Sequence, residues 1–290
     1  MLHRSLAPIA ALLVPIATSW GCGSQADPSA TQVQSLEGSA CPASWYDAPP
    51  PNPSWPTLSS ILPVHYDDVA TFISTWFPAA ADDLKTLVPA TVHPLQVAPG
   101  VGLIGLAFTN YRDISGLHPY RESLVMVMVD DSSLQEGYPL ALYLNTLFVT
   151  NKQAQWVGVQ GWGMNKLIGN AVCRNSPPKG ITCTTEADGQ LVMKVVLRTE
   201  GLSPLPVSAL NAAVLNSKDG WLVRSPSIYT SSRPDATVIG TYAPGSATVE
   251  FGGHPVGQML ANLRIGTTSS MAVWGEHVST TLPAGVCSSQ

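Results

Sequence analysis

NYRDISGLHPYRES (residues 110–123) and VGVQGWGMNKLIGNA (residues 157–171) enclose two long apolar runs. Glu122 lies at the end of the first segment and Lys166 lies inside the second. Our interpretation is that the chain folds so as to bring Glu122 and Lys166 together in a pocket with little water. A buried amine beside a carboxylate is a site for imine chemistry, because burial favours the neutral amine that attacks a ketone.

The two enclosed runs, SLVMVMV (123–129) and LALYLNTLFV (140–149), are apolar at nearly every position. A strand that is apolar on both faces is typical of the centre of a fold. The chain contains 24 Gly and 25 Pro, which suits many short strands joined by turns better than long helices. We predict a mainly β fold of the α+β type with few helices. Further strands are predicted at 102–109, 190–199, 221–225, 248–251 and 271–281.

One segment supports two interpretations. Val69, Phe72, Ile73 and Trp76 have the i, i+3, i+4, i+7 spacing of an amphipathic helix. The same segment is rich in aromatic and β-branched residues, which favour a strand. Periodicity alone does not decide between them.

Helices are predicted where start and stop signals coincide. DDLKTLVP (82–89) has acidic residues in its first turn and a terminating Pro. A second helix is predicted after Asn151, which is a suitable N-cap, and the glycines from Gly158 onward are expected to end it. A third helix is predicted to begin at His254-Pro255 and to end near Leu263.

The composition excludes several classes of function. The chain has 290 residues, enough for one large β-rich domain or two small ones, and only 11% of them are charged. Its formal net charge is -5 without a run of basic residues, so we expect no nucleic-acid partner. The sequence lacks a GxxxxGK[ST] phosphate loop and the GxSxG nucleophile elbow of serine hydrolases.

The N-terminus has the features of a targeting segment. Residues 1–22 combine a short basic start with an apolar run too short to span a bilayer, as in a secretory signal peptide. Cys22 follows Gly and resembles the lipidated residue of a bacterial lipoprotein, and ordinary cleavage near Ala26 is the alternative. Residues 23–57 are predicted to be a Ser/Pro-rich tether and residues 58–290 the folded domain. We expect an exported protein, either a cell-envelope lipoprotein or a secreted one, whose contact with the membrane is limited to the lipid.

The remaining cysteines agree with an oxidising compartment, since an even number is left when Cys22 is set aside. Cys173 and Cys183 flank a Pro/Gly turn, so a bridge between them is the first choice among the three possible pairings. That choice pairs Cys41 with Cys287 and ties the two ends of the domain together. No Cys or Cys/His spacing suits zinc, and we expect neither a metal nor a cofactor.

Three segments together resemble the acetoacetate decarboxylase family: DISGLHPYRES (113–123), GYPLALYLNTLFVTN (137–151) and VGVQGWGMNKLIG (157–169). The resemblance continues more weakly from Val69 to Pro283. It implies a closed or nearly closed antiparallel β-barrel with a few flanking helices, often assembled into oligomers. It also favours the strand interpretation of the segment that begins at Val69.

The resemblance assigns roles to the two residues singled out above. It implies that Lys166 forms a Schiff base with a ketone and that Glu122, in the block Tyr-Arg-Glu-Ser, lies in the same pocket. A lysine activated by its surroundings is a known feature of acetoacetate decarboxylases. Free lysine is almost wholly protonated near neutral pH, so the pocket must be apolar. Trp162, Met164 and Leu167 are the candidates for its wall.

Other pocket candidates lie in the block before the first apolar run. Tyr120 directly precedes Arg121 and Glu122, and His118 lies in the loop before them. Arg112 and Arg121 are candidates for positioning a substrate anion, and a solvated or structural role is the alternative for each.

The sequence departs from the family pattern at three positions. Leu167 replaces a second lysine, Asn165 replaces a proline, and Pro78 stands where an arginine is expected to hold a substrate carboxylate. We therefore predict a lyase that forms a Schiff base with a small keto acid or ketone, with decarboxylation, aldol chemistry or dehydration as the reaction. The alternative is a catalytically inactive small-molecule binding lipoprotein of the cell envelope.

Overall fold

The computed structural model describes residues 39–130, 140–176, 180–233 and 237–290. The predicted signal peptide with Cys22 and the first part of the predicted tether lie outside these residues. So does most of the predicted loop between the two apolar runs.

Strands make up most of the described chain. In chain order they are β1 (Ser39–Ala40), β2 (Val64–Ala80), β3 (His93–Pro94), β4 (Gln96–Ala98), β5 (Val101–Ile114), β6 (Tyr120–Asp130), β7 (Leu140–Val149), β8 (Lys166–Ile168), β9 (Asn170–Ser176), β10 (Gly180–Ala187), β11 (Gln190–Arg198), β12 (Ser203–Pro204), β13 (Ala212–Lys218), β14 (Trp221–Ser231), β15 (Val238–Tyr242), β16 (Ala247–Phe251), β17 (Met271–Glu276), β18 (Val278–Leu282) and β19 (Val286–Ser289).

The helices are short. They are α1 (Ala43–Tyr46), α2 (Leu58–Ile61), α3 (Ala81–Leu84), α4 (Lys152–Trp162) and α5 (Pro255–Ala261), with 3-10 turns at Lys85–Leu87 and Val207–Leu210. Among the described residues, no helix is long and apolar enough to cross a membrane.

Seven of the described strands close into a barrel in the order β2-β5-β6-β7-β13-β14-β18, after which β18 pairs again with β2. Neighbouring barrel strands are antiparallel except β7 and β13, which are parallel. The predicted mainly β fold with a closed barrel is therefore confirmed.

A second sheet covers one side of the barrel. The described strands β16, β11, β10 and β9 form it in that order. The apolar core between this sheet and the barrel is built from one face of β5, β6 and β7 and from the inner face of the second sheet. Thr185 on β10 donates a hydrogen bond to Ser123 on β6, at 2.7 Å, and links the two layers. The other face of the same barrel strands points into the barrel.

The segment with two interpretations is a strand. Residues 69–76 lie in β2, whose burial pattern shows buried residues on both faces over this stretch. A strand that is covered on both sides loses its polar/apolar alternation, so its apolar residues fell by chance into helical spacing. The interpretation favoured by the family resemblance is correct.

Helix α4 begins as predicted and ends later than predicted. The Asn151 side chain accepts a hydrogen bond from the Ala154 N–H, at 2.7 Å, and so caps the helix. The helix continues through Gly158 and Gly161 and ends at Gly163, which has the left-handed φ of 67° typical of a helix C-cap. Glycine lowers helix propensity by only about 1 kcal/mol, which the packing of this helix offsets.

The predicted strand at 271–281 is two strands with different partners. They separate at His277, which has a positive φ of 51°. Strand β17 pairs with β15 and β2, whereas β18 pairs with β14 and β2 and closes the barrel. The change of direction at His277 is what allows one continuous stretch of chain to supply both strands.

Disulfide bonds join Cys41 to Cys287 and Cys173 to Cys183, the preferred pairing. Cys173 and Cys183 face each other across β9 and β10, and the first bond fastens β1 to the last strand, β19. Bonds of this kind persist in oxidising compartments and are compatible with export.

Candidate functional site

Lys166 and Glu122 form a buried ion pair inside the barrel. The Lys166 Nζ donates a hydrogen bond to the Glu122 Oε2 at 2.6 Å. Each side chain is only 4% exposed. Both residues line a cavity of about 1000 Å³ that occupies the barrel interior. The structure therefore brings the amine and the carboxylate together in a pocket.

The chain reversal after α4 places Lys166 at this point. Beyond Gly163, the Met164 N–H donates to the Gly158 carbonyl, and the chain then enters β8. Strand β8 pairs in parallel with β7, with Lys166 opposite Leu147. Gln155 on α4 donates from Nε2 to the Lys166 carbonyl at 3.0 Å and fixes the backbone from the other side. The lysine is thus held between a helix and a barrel strand.

Gly158 provides the space that the Lys166 side chain crosses. A Cβ atom at Gly158 would lie 2.4 Å from Lys166 Cε and 2.6 Å from Cδ. A methyl group at this position would displace the end of the lysine. The glycine is therefore part of how the ammonium reaches Glu122.

Strand register positions Glu122. It lies on β6 directly opposite Thr109 of β5, and Tyr120 lies opposite Tyr111. Successive side chains on a strand alternate between faces, so these four side chains point to the barrel interior. The carboxylate therefore shares its face of the hairpin with three side chains that carry a hydroxyl group.

Tyrosines close the end of the barrel around the ion pair. The ring centroids of Tyr66 and Tyr111 are 4.7 Å apart, as are those of Tyr111 and Tyr120. The Lys166 Nζ is 5.4 Å from the centroid of the Tyr120 ring. Tyr229 also lines this end of the cavity.

These tyrosines are hydrogen-bond donors at neutral pH. Burial raises the pKa of the Tyr66 and Tyr111 phenols well above the ordinary value, and the negative charge of Glu122 raises it further. Burial also raises the pKa of Tyr120 and Tyr229. The phenols can donate to an oxygen atom of a bound molecule and do not compete with Glu122 as a base.

Several predicted pocket residues lie outside the cavity lining. Arg112, His118 and Arg121 are exposed. Arg121 alternates with the inward-facing Tyr120 and Glu122, so it points outward, and its Nη2 reaches Asn170 at 3.4 Å. The backbone of His118 binds the Gln153 side chain at 3.0 Å.

Of the three residues predicted to form the apolar wall, one lines the cavity and two lie outside it. Met164 lines the cavity. Trp162 is buried outside it and donates from Nε1 to the Pro283 carbonyl at 2.8 Å. Leu167 follows Lys166 on β8, points to the opposite side, and packs against the core between the barrel and the second sheet. Pro78 lies outside the lining, and its carbonyl accepts a hydrogen bond from the Gly266 N–H.

Tyrosines at three positions were not predicted from the sequence as pocket residues: Tyr66, Tyr111 and Tyr229. A signal existed for Tyr111, because Tyr111 and Tyr120 flank the hairpin loop at matching positions and the hairpin register makes them neighbours. Tyr66 and Tyr229 reach the same place through long-range pairing of β2, β14 and β18. No local pattern in the sequence reports such pairing.

Within the described part of the chain, no group of three or more His, Cys, Asp or Glu side chains is arranged to hold a metal ion.

Comparison with known proteins identifies the family. The family model described as acetoacetate decarboxylase (ADC) matches residues 48–286. The chain therefore belongs to the acetoacetate decarboxylase family, and this membership supports lyase chemistry of that general type. Among curated proteins, none matches the chain.

Solved structures share the fold at low sequence identity. Acetoacetate decarboxylase from Legionella pneumophila has a TM-score of 0.61 at 16% identity, covering 89% of this chain and 98% of that chain. The enduracididine biosynthesis enzyme MppR, complexed with pyruvate, has a TM-score of 0.55 at 12% identity, covering 78% of this chain and 90% of that chain.

Proposed function

We propose that this protein is a lyase in which Lys166 forms a Schiff base with a keto compound and Glu122 acts as general acid and base. The observation that carries the proposal is the 2.6 Å contact between the Lys166 Nζ and the Glu122 Oε2 inside a largely apolar cavity. A proton shared across this contact gives the neutral amine that nucleophilic attack requires.

The proposed steps balance without any further reactant. Glu122 accepts a proton from the Lys166 ammonium, and the neutral amine attacks the carbonyl carbon. Glu122 returns the proton, and the carbinolamine loses water to give the iminium. The net change is one ammonium and one carbonyl to one iminium and one water. Tyr66 or Tyr111 can donate a hydrogen bond to the carbonyl oxygen during the attack, because both line the cavity.

The iminium then acts as an electron sink. A bond to the neighbouring carbon breaks, the electron pair moves to nitrogen, and an enamine forms. If the bond is C–H, Glu122 takes the proton. The enamine can then add through its carbon to an aldehyde, whose oxygen takes that proton from Glu122, or expel a hydroxyl group from the adjacent carbon, which leaves as water with the same proton. MppR, which shares the fold, is described in complex with the condensation product of pyruvate and imidazole 4-carboxaldehyde. If the bond is C–C to a carboxylate, carbon dioxide leaves.

Reductive trapping tests the Schiff base. The purified domain is incubated with a panel of ketones, aldehydes and β-keto acids, reduced with borohydride, and digested for mass spectrometry. We expect an adduct on Lys166 that is absent from Lys166→Met. Lys218→Met is the matched control, because burial lowers the pKa of the Lys218 amine although it lies outside the cavity lining.

Failure to fold must be separated from loss of chemistry. The doubly substituted protein Lys166→Met, Glu122→Leu removes both charges and is expected to fold and to form no adduct. Absence of any adduct across the panel, with binding of the same compounds retained, would overturn the Schiff base and leave the inactive binding protein as the function.

We also propose that the protein acts outside the cytoplasm, anchored through a lipid on Cys22. The disulfide bonds support an oxidising compartment. Fractionation of cells that express the full chain tests the anchor. Cys22→Ala is expected to move the protein out of the membrane fraction, and an unchanged distribution would contradict lipidation.

A further inference from the structure

We infer that the substrate is a neutral ketone or aldehyde with an extended apolar chain, whose carbonyl lies at Lys166 and whose chain follows the barrel interior towards the opposite end. The inference rests on the proposed Schiff base and specifies the molecule that this site takes. It replaces the small keto acid or ketone expected from the sequence.

The length of the cavity is the first argument. Glu122 and Met128 both line it, and they lie six residues apart on β6. At a rise of about 3.3 Å per residue, the lined wall is about 20 Å long. An extended chain advances about 1.2 Å per bond, so a chain of up to about 16 bonds fits along this wall. The volume of about 1000 Å³ lies at the upper end of small-molecule pockets, so a short keto acid would leave most of it empty.

The position of the mouth is the second argument. The cavity-lining residues that are exposed come from two short segments of the chain: Gly201, Ser203, Pro204, Pro206, Ala243 and Pro244. Strand pairing places Met271 level with Trp76, and Trp76 level with Gly105 and Met126. Tyr242 precedes the exposed 243–244 segment and pairs with Ala272, next to Met271. The mouth therefore lies towards Met126, away from the tyrosine-closed end that holds Lys166.

The lining between the two ends is the third argument. Apolar side chains cover most of this wall, among them Trp76, Leu124, Met126, Leu144, Val214 and Val273. Ser74 contributes a hydroxyl oxygen that has no hydrogen-bond partner in the described structure. A molecule that reaches Lys166 from the mouth passes along this surface. An apolar chain that stays there removes the apolar wall from contact with water, which favours binding.

The charged residues that line the cavity favour a neutral molecule. Among the described residues that line the cavity, Lys166 carries the only positive charge, and Glu122 is in contact with it. A carboxylate beside the reacting carbonyl would lie near the Glu122 carboxylate without a cation of its own, because Arg112 and Arg121 are exposed and Pro78 supplies no charge. Burying an unpaired charge is costly, so the site favours a neutral molecule.

A chain-length series tests the inference on the whole folded domain. Concentrations for half-maximal borohydride trapping on Lys166 are measured for acetone, 2-hexanone, 2-nonanone and 2-undecanone, and for β-keto acids of matched length. We expect the half-maximal concentration to fall roughly fourfold per methylene until the cavity is filled. We expect β-keto acids to require at least about tenfold more than the matching ketones.

A variant of the wall provides the matched comparison. Val214 lies opposite Leu142, far along the wall from Lys166. Val214→Phe is expected to lower the preference for 2-undecanone over acetone by about tenfold or more. Val238→Phe makes the same change at an exposed residue outside the lining, 42% accessible, and is expected to preserve the preference.

Binding of 1-alkanols, which lack a carbonyl, separates the two proposals. A trapped adduct without dependence on chain length overturns the extended chain and retains the Schiff base. Absence of adducts, with alkanol affinity that rises with chain length, overturns the Schiff base and retains the apolar chain. Trapping of β-keto acids as readily as ketones overturns the neutral head group.

Discussion

The two faces of strand β6 have similar hydropathy and different roles. The outer face packs against the second sheet through Val125, Val127 and Val129. The inner face lines the cavity through Leu124, Met126 and Met128. Both sets are buried to at least nine-tenths, yet one set contacts protein and the other borders space for a ligand.

The choice of residue type separates these faces better than hydropathy does. Valine is stiff at χ1 and packs well on a pleated surface, which suits a permanent interface between two sheets. Leucine and methionine lack branching at Cβ, and methionine in particular adapts to occupants of different shape. On this strand, the β-branched face therefore packs against protein and the leucine–methionine face borders the cavity.

The largest effect is expected at the charged end of the inner face. Lys166→Met leaves the buried Glu122 carboxylate without its partner, which should cost about 3–5 kcal/mol of unfolding free energy. Urea denaturation measures it. The doubly substituted protein Lys166→Met, Glu122→Leu should recover most of the loss, because both charges are gone. A cost below about 1 kcal/mol for Lys166→Met would contradict a charged pair.

The outer core and the cavity wall can be compared through the same Leu→Ala substitution on the neighbouring strands β5 and β6. Leu106 is fully buried in the outer core, and its neighbour Ala107 pairs with Leu124, which lines the cavity. Leu106→Ala should cost about 3 kcal/mol, because a new void opens in packed protein. Leu124→Ala should cost about half as much, because it enlarges a space that already exists. Equal losses in urea denaturation would show that the inner face is packed as tightly as the outer face.

Much of the fold could be predicted from sequence because its signals are local. The Asn151 cap, the acidic start of α3 and the apolar runs of β6 and β7 each depend on a few neighbouring residues. The pairing of Cys41 with Cys287 followed from elimination among few alternatives. The division of residues 271–281 between two strands depends on partners far along the chain, so no local pattern showed it.

The candidate site could be predicted only in part, because some of its residues are indicated by local motifs and others are brought in by distant strands. Lys166 and Glu122 followed from a family resemblance, and the structure brings them into contact. Arg121 was expected to position a substrate anion and Leu167 to form part of the apolar wall, and both adjoin these residues in sequence. Neighbours on a strand point to opposite faces, so adjacency in sequence places them outside. Tyr66 and Tyr229 required knowledge of barrel closure, which depends on the whole chain.

Two glycines of α4 allow the lysine's position to be tested without removing the lysine. Gly158→Ala should displace the Lys166 side chain, and a displacement of about 1 Å can lower trapping about a hundredfold. Gly161→Ala is the control, because its Cβ would meet Leu58 at an ordinary 3.6 Å. Adduct yield with time measures both variants. Equal yields in the two variants would show that the lysine adjusts its path without loss.

The smallest effect is expected at an exposed ion pair, which contrasts with the buried pair. Arg264 donates to both carboxylate oxygens of Asp83, at 2.9 Å from Nε and Nη2. Side-chain and backbone hydrogen bonds from Arg264 lower the pKa of Asp83 to about 2. An unfolded aspartate titrates near 3.9, so the pair stabilises the fold above about pH 4 and loses this contribution as the pH falls towards 2.

Asp83→Asn should therefore shift the urea midpoint slightly at pH 6 and progressively less below pH 4. Added salt should also reduce the shift, because solvent and ions screen surface charges. For comparison, the shift caused by Lys166→Met should be larger and nearly independent of salt, since that pair is shielded from solvent. An Asp83→Asn effect that persists unchanged at pH 2 would indicate a structural role of the side chain that does not depend on its charge.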